Sequence, residues 1–285
     1  MSTVELELKE VRGPAAVSGS PRRFVNLTWL LATTDFKLSY FGSVLGYLWT
    51  LMQPLMFFGV LYFVFAFLLH LNNALDYPVL LLMNIVLFGF FQQATGAAIP
   101  SVVVREGVVR KMQFPRLVIP LAAVTTAAIN LFFNLVVVMI FMLSYGVQPR
   151  LTWLLLPFLV LVLFVFTTGV AMLLSALFVR YRDIAPIWGA ISQALYFASP
   201  VFILINQVLK GHPSLGRYYL FNPISTILQQ ARHWMIGGTP PGGSGVPVIM
   251  GGYVWLLVPG GIIVGVFLLG YWVFGREAPR VAEEL

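Results

Sequence analysis

DFKLSYFGSVLGYLWTLMQPLMFFGVLYFVF, residues 35–65, opens with an acid and a base and then carries no charge for its remaining 28 residues. A helix rises about 1.5 Å per residue, so a run of that length crosses the roughly 30 Å hydrocarbon layer of a bilayer. Pro54 inside it should kink the helix, and the amide of Gln53 can satisfy a backbone group that the kink frees. Five more apolar blocks follow. Taken at about 20 residues per crossing, the expected spans are 44–69, 79–99, 119–145, 152–178, 187–206 and 253–274. Composition agrees: 59% of the residues are hydrophobic and 9% charged, against about 25% charged in a soluble domain, so no separate soluble unit fits in the chain.

The Gly/Pro-rich stretch 207–252 holds a shorter apolar run near 224–236. It is too short to cross, and is expected to dip in and return or to lie at the surface. The fold expected is therefore an all-α integral membrane protein with six transmembrane helices. An N-terminal amphipathic interface helix precedes them, and a short re-entrant or interfacial helix precedes the last span. Residues 1–19 read as a flexible cytoplasmic tail, 20–275 as one membrane unit and 276–285 as a second tail. The first residues lack the apolar core of a signal peptide, and with no cysteine in the sequence thiolate and disulfide chemistry are excluded.

Basic residues set the orientation. With the N-terminus inside, the inner segments carry thirteen Lys and Arg residues and the outer ones four: Arg150, Lys210, Arg217 and Arg232. That asymmetry places both termini in the cytoplasm. The net charge of +7 then describes a rim near anionic headgroups and not a nucleic-acid surface. Within that rim, 20–38 reads as an amphipathic helix capped by Ser20 and started by Pro21. Arg22, Asn26, Thr33 and Lys37 share one side, and Phe24, Leu27 and Leu31 make an apolar stripe. Such a helix is expected to lie in the headgroup plane.

What is missing narrows the function. No G-x-x-x-x-G-K-[ST] occurs, and the dipeptide Gly-Lys is absent, so this chain binds no nucleotide through a phosphate loop. Asp35, Asp76, Glu106 and Asp183 fall in loops or at span edges, which argues against coupling to protons or sodium. His70, His212 and His233 are isolated, so neither a metal site nor an acid–base cluster is expected. Inside the spans, Asn130 and Asn134 stand one turn apart, with Thr126 extending the stripe. They suit interhelical hydrogen bonding first and the lining of a polar path second. Gly42/Gly46 and Gly261/Gly265 have the spacing of helix-packing seams. The aromatics Tyr47 and Trp49 invite sugar stacking, although most aromatics of such a chain face lipid.

Within 35–65, Asp35, Lys37, Tyr40, Ser43, Leu45, Gly46, Trp49 and Pro54 resemble the start of the first span in permease subunits of ABC transporters. The closest likeness is to the group exporting O-antigen, capsule, teichoic acid and related lipid-linked polymers. Three more resemblances follow in that group's order: RKMQFPRLVIP at 110–120, RYRDI at 180–184 with SPVF at 199–202, and FNPISTILQQAR at 221–232. Ser39 stands where the group usually has Arg.

The resemblance implies a homodimeric permease that binds two copies of a separate ATPase subunit in the bacterial cytoplasmic membrane. ATP and Mg are then held by the partner, and this chain holds no cofactor or metal. The loop 100–118 becomes the coupling loop, with Ser101, Arg105, Glu106, Arg110 and Lys111 as ATPase contacts. Arg180, Arg182 and Asp183 become a second cytoplasmic contact, and Arg22, Arg23, Asp35 and Lys37 the cytoplasmic gate helix. Tyr47, Trp49, Asn130 and Asn134 are the candidate channel lining. The cargo implied is a polyprenyl-pyrophosphate glycan of the O-antigen, capsule, teichoic acid or cell-wall galactan type; drug or lipid efflux by a related permease is the alternative. Residues alone favour an ordinary positive-inside loop at 100–118, and leave 180–183 equally readable as a topology signal with a local ion pair.

Overall fold

A computed structural model describes residues 21–40, 46–68, 77–105, 107, 115–202, 205, 215–237 and 245–277. Among them every regular element is helical. They are α1 (Pro21–Tyr40), α2 (Gly46–Tyr62, continued by wider π-type turns at Phe63–Leu68), α3 (Tyr77–Val104) and α4 (Val118–Ser144). A 3-10 turn at Leu151–Leu155 feeds α5 (Leu156–Arg180). Next come α6 (Ile184–Ala198), α7 (Leu215–Tyr219), α8 (Pro223–Met235) and α9 (Val246–Met250), and a turn at Tyr253–Leu256 leads into α10 (Leu257–Glu277).

Five of these helices are long and apolar enough to cross a membrane: Gly46–Phe65, Tyr77–Val104, Val118–Ser144, Leu151–Arg180 and Tyr253–Glu277. The expected span 187–206 differs from the others. Its helix, α6, has 15 residues, which reach only about 22 Å. Pro200 breaks the apolar block, because the residue before a proline is steered out of the helical region. The turn that follows is held by α3: Asn84 donates to the Pro200 carbonyl (2.8 Å) and Tyr77 to the Phe202 carbonyl (3.1 Å). Counting apolar residues sees the block but not this break.

α3 is the central post. Twenty of its residues are buried, so α4, α5 and α6 wrap most of its circumference. Phe91 stacks on Phe166 of α5 at 5.7 Å, and Phe88 meets Tyr196 of α6 edge-on at 4.9 Å. α5 and α10 approach until their backbones touch. A Cβ on Gly270 would lie 2.2 Å from the Gly169 carbonyl oxygen, and one on Gly169 would lie 2.7 Å from the Phe267 Cα. The packing seam of the last helix is thus Gly169/Gly270. Gly261 and Gly265 face open space within the chain, and Gly42 lies outside the described residues.

A satellite core of Val102, Leu117, Ile119, Met172, Ala176 and Phe274, with Phe24 packed on it, gathers the ends of α3, α5 and α10 and the starts of α1 and α4. With Arg22, Arg23, Arg105, Arg116, Arg180, Arg182 and Arg276 near those termini, this is the basic end of the bundle. Arg116 is 4% exposed there, and burial lowers its pKa by desolvating the guanidinium.

The expected N-terminal helix is present, and its packing adds a direction. Phe24 touches the core around Ile119, the Ala32 carbonyl accepts from Thr126 (3.1 Å) and Tyr40 reaches Asn130. α1 therefore advances with α4, about 24 Å against about 16 Å at 1.5 Å per residue. It climbs obliquely beside α4 and does not lie across its end.

Candidate functional site

α3 buries nearly everything it has, which makes its uncovered side informative. Gln93, Gly96 and Ala97 are exposed, and Gly89, Gln92 and Pro100 half-buried. These positions recur every three to four residues and so form one stripe. An amide on a membrane-spanning helix must face protein or water and not lipid tails.

Two adjoining cavities run along that stripe. The first, about 580 Å³, lies between α2 (Thr50, Gln53, Pro54, Phe57), α3, Leu131 and Asn134 of α4, and Tyr196 of α6. The second, about 330 Å³, continues to the basic end past Tyr40, Ser101, Thr126, Asn130, Asp35 and Arg105. Gln93 lines both. Together they make one cleft with amides and hydroxyls on its walls, open along the side of the chain.

Local chemistry positions the wall. Asn134 donates to the Asn130 carbonyl (3.0 Å), and the Asn130 side-chain oxygen accepts from the Tyr40 hydroxyl (2.9 Å). Asn130 thus ties α1 to α4, and Asn134 one turn on lines the cleft. Tyr40 is fixed by an aromatic cluster: its ring meets Phe36 at 5.0 Å and Tyr47 at 5.1 Å, and Tyr47 meets Phe133 at 5.0 Å. Tyr47 is therefore a packing residue behind the mouth. Trp49 is 52% exposed and lines neither cavity.

At the basic end Arg105, one residue past α3, pairs with Asp35 of α1. This joins two residues to which the resemblance gives different jobs, in the coupling loop and in the gate helix. Ser101 is buried and donates to the Ala98 carbonyl (2.7 Å), so it belongs to the last turn of α3. Glu106, Arg110 and Lys111 lie outside the described residues. Arg22, Arg23 and Lys37 are exposed on α1. In the turn between α5 and α6, Arg180 sits over the Tyr181 ring (5.4 Å) and Arg182 over Phe178 (5.1 Å). Asp183 makes no salt bridge among the described residues, so ring stacking replaces the expected local ion pair.

The opposite end is closed by α8. Its first turn is capped by Asn222, whose side chain accepts from the Ile224 amide (3.0 Å) and donates to Ser199 (3.3 Å). Its last carbonyls take hydrogen bonds from the start of α5: Trp153 donates to the Met235 carbonyl (2.8 Å) and Thr152 to that of Trp234. The guanidinium of Arg150 lies beside Gly237 just past the helix end, where a cation suits the helix dipole. Arg232 and Gln229 turn inward and are buried. α8 is thus packed between the end of α6 and the start of α5, and is not a free surface helix.

Gln92 and Gln93 were missed by the sequence reading. The signal was present as two adjacent amides inside an apolar block, the kind of residue that membrane helices rarely carry without use.

The sequence profile of the ABC-2 type transporter matches residues 26–236. Two relatives named O-antigen export system permease protein RfbA are similar over most of the chain. One, from Klebsiella pneumoniae, is 25% identical over 261 residues, covering 91% of this chain and 95% of the relative. The other, from Myxococcus xanthus, is 26% identical over 198 residues, covering 70% and 75%.

Proposed function

Because the chain belongs to the ABC-2 type transporter family, we propose that it is the transmembrane subunit of an ATP-driven polysaccharide exporter, with the cleft along α3 as its half of the path. The relatives' name supplies the cargo class, and the observation that carries the reading is the polar stripe Gln92, Gln93, Gly96 and Ala97 on an otherwise buried helix. Amides and hydroxyls can exchange hydrogen bonds with successive sugar hydroxyls without holding any one tightly. Phe57 and Tyr196 offer ring faces in the same cavity.

The open side of the cleft supports a homodimer. α2 buries none of its residues within the chain, and α6 exposes Pro186, Ile187, Gly189 and Ala190. A second copy would cover these faces and close the path. In this reading α6, together with the turn held by Tyr77 and Asn84, completes the sixth passage, since irregular backbone at membrane depth needs protein around it. α8 then closes the outer end. The basic end faces the cytoplasm of a bacterial inner membrane with both termini inside, and two separate ATPase subunits dock at 100–118 and near Arg180, Arg182 and Asp183. They bring the ATP and Mg.

The mechanism follows from connectivity. Arg105 lies at the junction between α3 and the coupling loop, and its pair with Asp35 joins that junction to α1. Closure of the ATPases pushes the loop. α1 moves with it through Asp35, and the aromatic and Tyr40–Asn130 contacts carry the motion to the start of α2 and the mouth of the cleft.

The test is reconstitution with the ATPase subunit in lipid nanodiscs. ATP hydrolysis should rise on adding a polyprenyl-diphosphate-linked glycan. Stimulation by amphipathic drugs or phospholipid alone, with no response to the glycan, would replace this reading with efflux by a related permease.

A further inference from the structure

We propose that Arg105 is an anion-receiving site at the inner mouth of the cleft, with Asp35 as a resident placeholder that the phosphate oxygens of a lipid headgroup displace. This rests on the export reading above and adds which part of the cargo is read first, and by which side chain.

Three observations converge on the pair. First, it faces a cavity: Asp35 and Arg105 line the inner 330 Å³ space together with Ser39, Tyr40, Gln93 and Asn130. Arg105 is thus placed on the path as well as beside the coupling loop. Second, the guanidinium is half used. One nitrogen, Nη2, contacts Asp35, while the other, Nη1, is buried with no hydrogen-bond partner among the described residues. A buried charged donor left without an acceptor is costly, and a guanidinium fork suits two oxygens of a phosphate. Third, the tie is exchangeable. The two side chains are 21% and 29% exposed, and an ion pair that water reaches holds weakly. An incoming phosphate that engages both nitrogens gains the contact Asp35 leaves unmade.

The exchange has a consequence for α1. Its other polar ties, Ala32 to Thr126 and Tyr40 to Asn130, are neutral and join it to α4. Among the described residues, Asp35–Arg105 is the ion pair joining it to the end of α3. An anion on Arg105 would release α1 from α3 while leaving it on α4. The headgroup would thereby loosen the mouth as it enters, and Asp35 would recover Arg105 behind it, restoring the tie through which the ATPases move α1 while the glycan follows.

The two partners of a structural ion pair should behave alike when neutralised, whereas a site and its placeholder should behave oppositely. That difference is measurable on the permease–ATPase complex in nanodiscs, as direct binding of a fluorescent polyprenyl diphosphate. Arg105→Gln should weaken binding by about tenfold and Arg105→Lys by less, since lysine keeps the charge but loses the fork. Asp35→Asn should tighten it by about threefold, by removing the competing carboxylate. Inorganic pyrophosphate should compete in the wild type and not in Arg105→Gln if the headgroup oxygens are what is read. Weakening in both Arg105→Gln and Asp35→Asn, or no change in either, would overturn the proposal and leave a structural tie.

The failures are separable. If a lipid-linked glycan stimulates the wild-type ATPase while Arg105→Gln binds the probe unchanged, this inference alone falls. If the glycan does not stimulate the wild type, the export reading falls whatever the probe does.

Discussion

The two ends of the bundle hold α8 and α1 by different contacts. At the end that the proposed orientation puts outside, α8 is fixed at both termini by neutral hydrogen bonds: Asn222 accepts from Ile224 and donates to Ser199, and Trp153 and Thr152 donate to the last carbonyls. At the basic end, which the same orientation puts inside, the described residues join α1 to α3 by a partly exposed ion pair beside a cavity. The hydrogen bonds on α8 are part-buried, and a neutral group left unmade there is costly, because water replaces its partner only incompletely. An ion pair that water partly reaches can exchange its partner for another anion, which a neutral helix cap cannot do. In the proposed function α8 stays fixed at both ends, whereas α1 keeps its ties to α4 and has in Asp35–Arg105 one tie to α3 that can be exchanged.

The frame that both ends share should fail most severely. Gly270→Leu places a side chain into the Gly169 carbonyl and separates α5 from α10, so a loss of about 3 kcal/mol or more is expected, with no monodisperse protein on size-exclusion chromatography. Gly265→Ala, where nothing lies within 4 Å of the new methyl, should stay within about 0.5 kcal/mol. A large loss in the latter would mean that the last helix packs on a second copy through that face.

Next come the outer ties. Asn222→Ala should cost about 1–2 kcal/mol by removing a helix cap, read as a lower midpoint of thermal unfolding in detergent. Trp153→Phe should cost about 1 kcal/mol. If both prove silent, the outer helix is not held as described and the contrast between the ends collapses.

The inner tie should matter less to stability than the outer ones. Asp35→Asn should change the unfolding free energy by under about 1 kcal/mol, yet alter the coupling of ATP hydrolysis to transport. A stability loss as large as that of Asn222→Ala would erase the distinction between a movable and a fixed helix.

Much of the architecture was legible in the sequence because lipid is a severe filter. Apolar blocks, Pro21 at a helix start and the placement of arginines located the long helices and their ends. The length of α6 was not legible, since the Pro200 break is stabilised by Tyr77 and Asn84 more than a hundred residues away. Nor was the Gly169/Gly270 seam, which has no local spacing to betray it. At the site, the Asn130–Asn134 stripe was visible, and Asn130 does bond between helices, to Tyr40; its place on a path belongs to the proposal. The Asp35–Arg105 pair spans 70 residues, and no periodicity links them. Trp49 shows the converse: an aromatic in a suggestive place that the fold turns away from the cleft.

The native chain contains no cysteine, so single-cysteine labelling tests the proposed path directly. In the reconstituted complex, cysteines at Gly89, Gln93, Gly96 and Ala97 should react with a membrane-impermeant maleimide, and more slowly once lipid-linked glycan is added. Cysteines at Phe88, Phe91 and Thr95, on the buried side of the same helix, should stay unreactive. Reaction at neither set, or equal reaction at both with no protection by glycan, would contradict the assignment of the α3 cleft as the path.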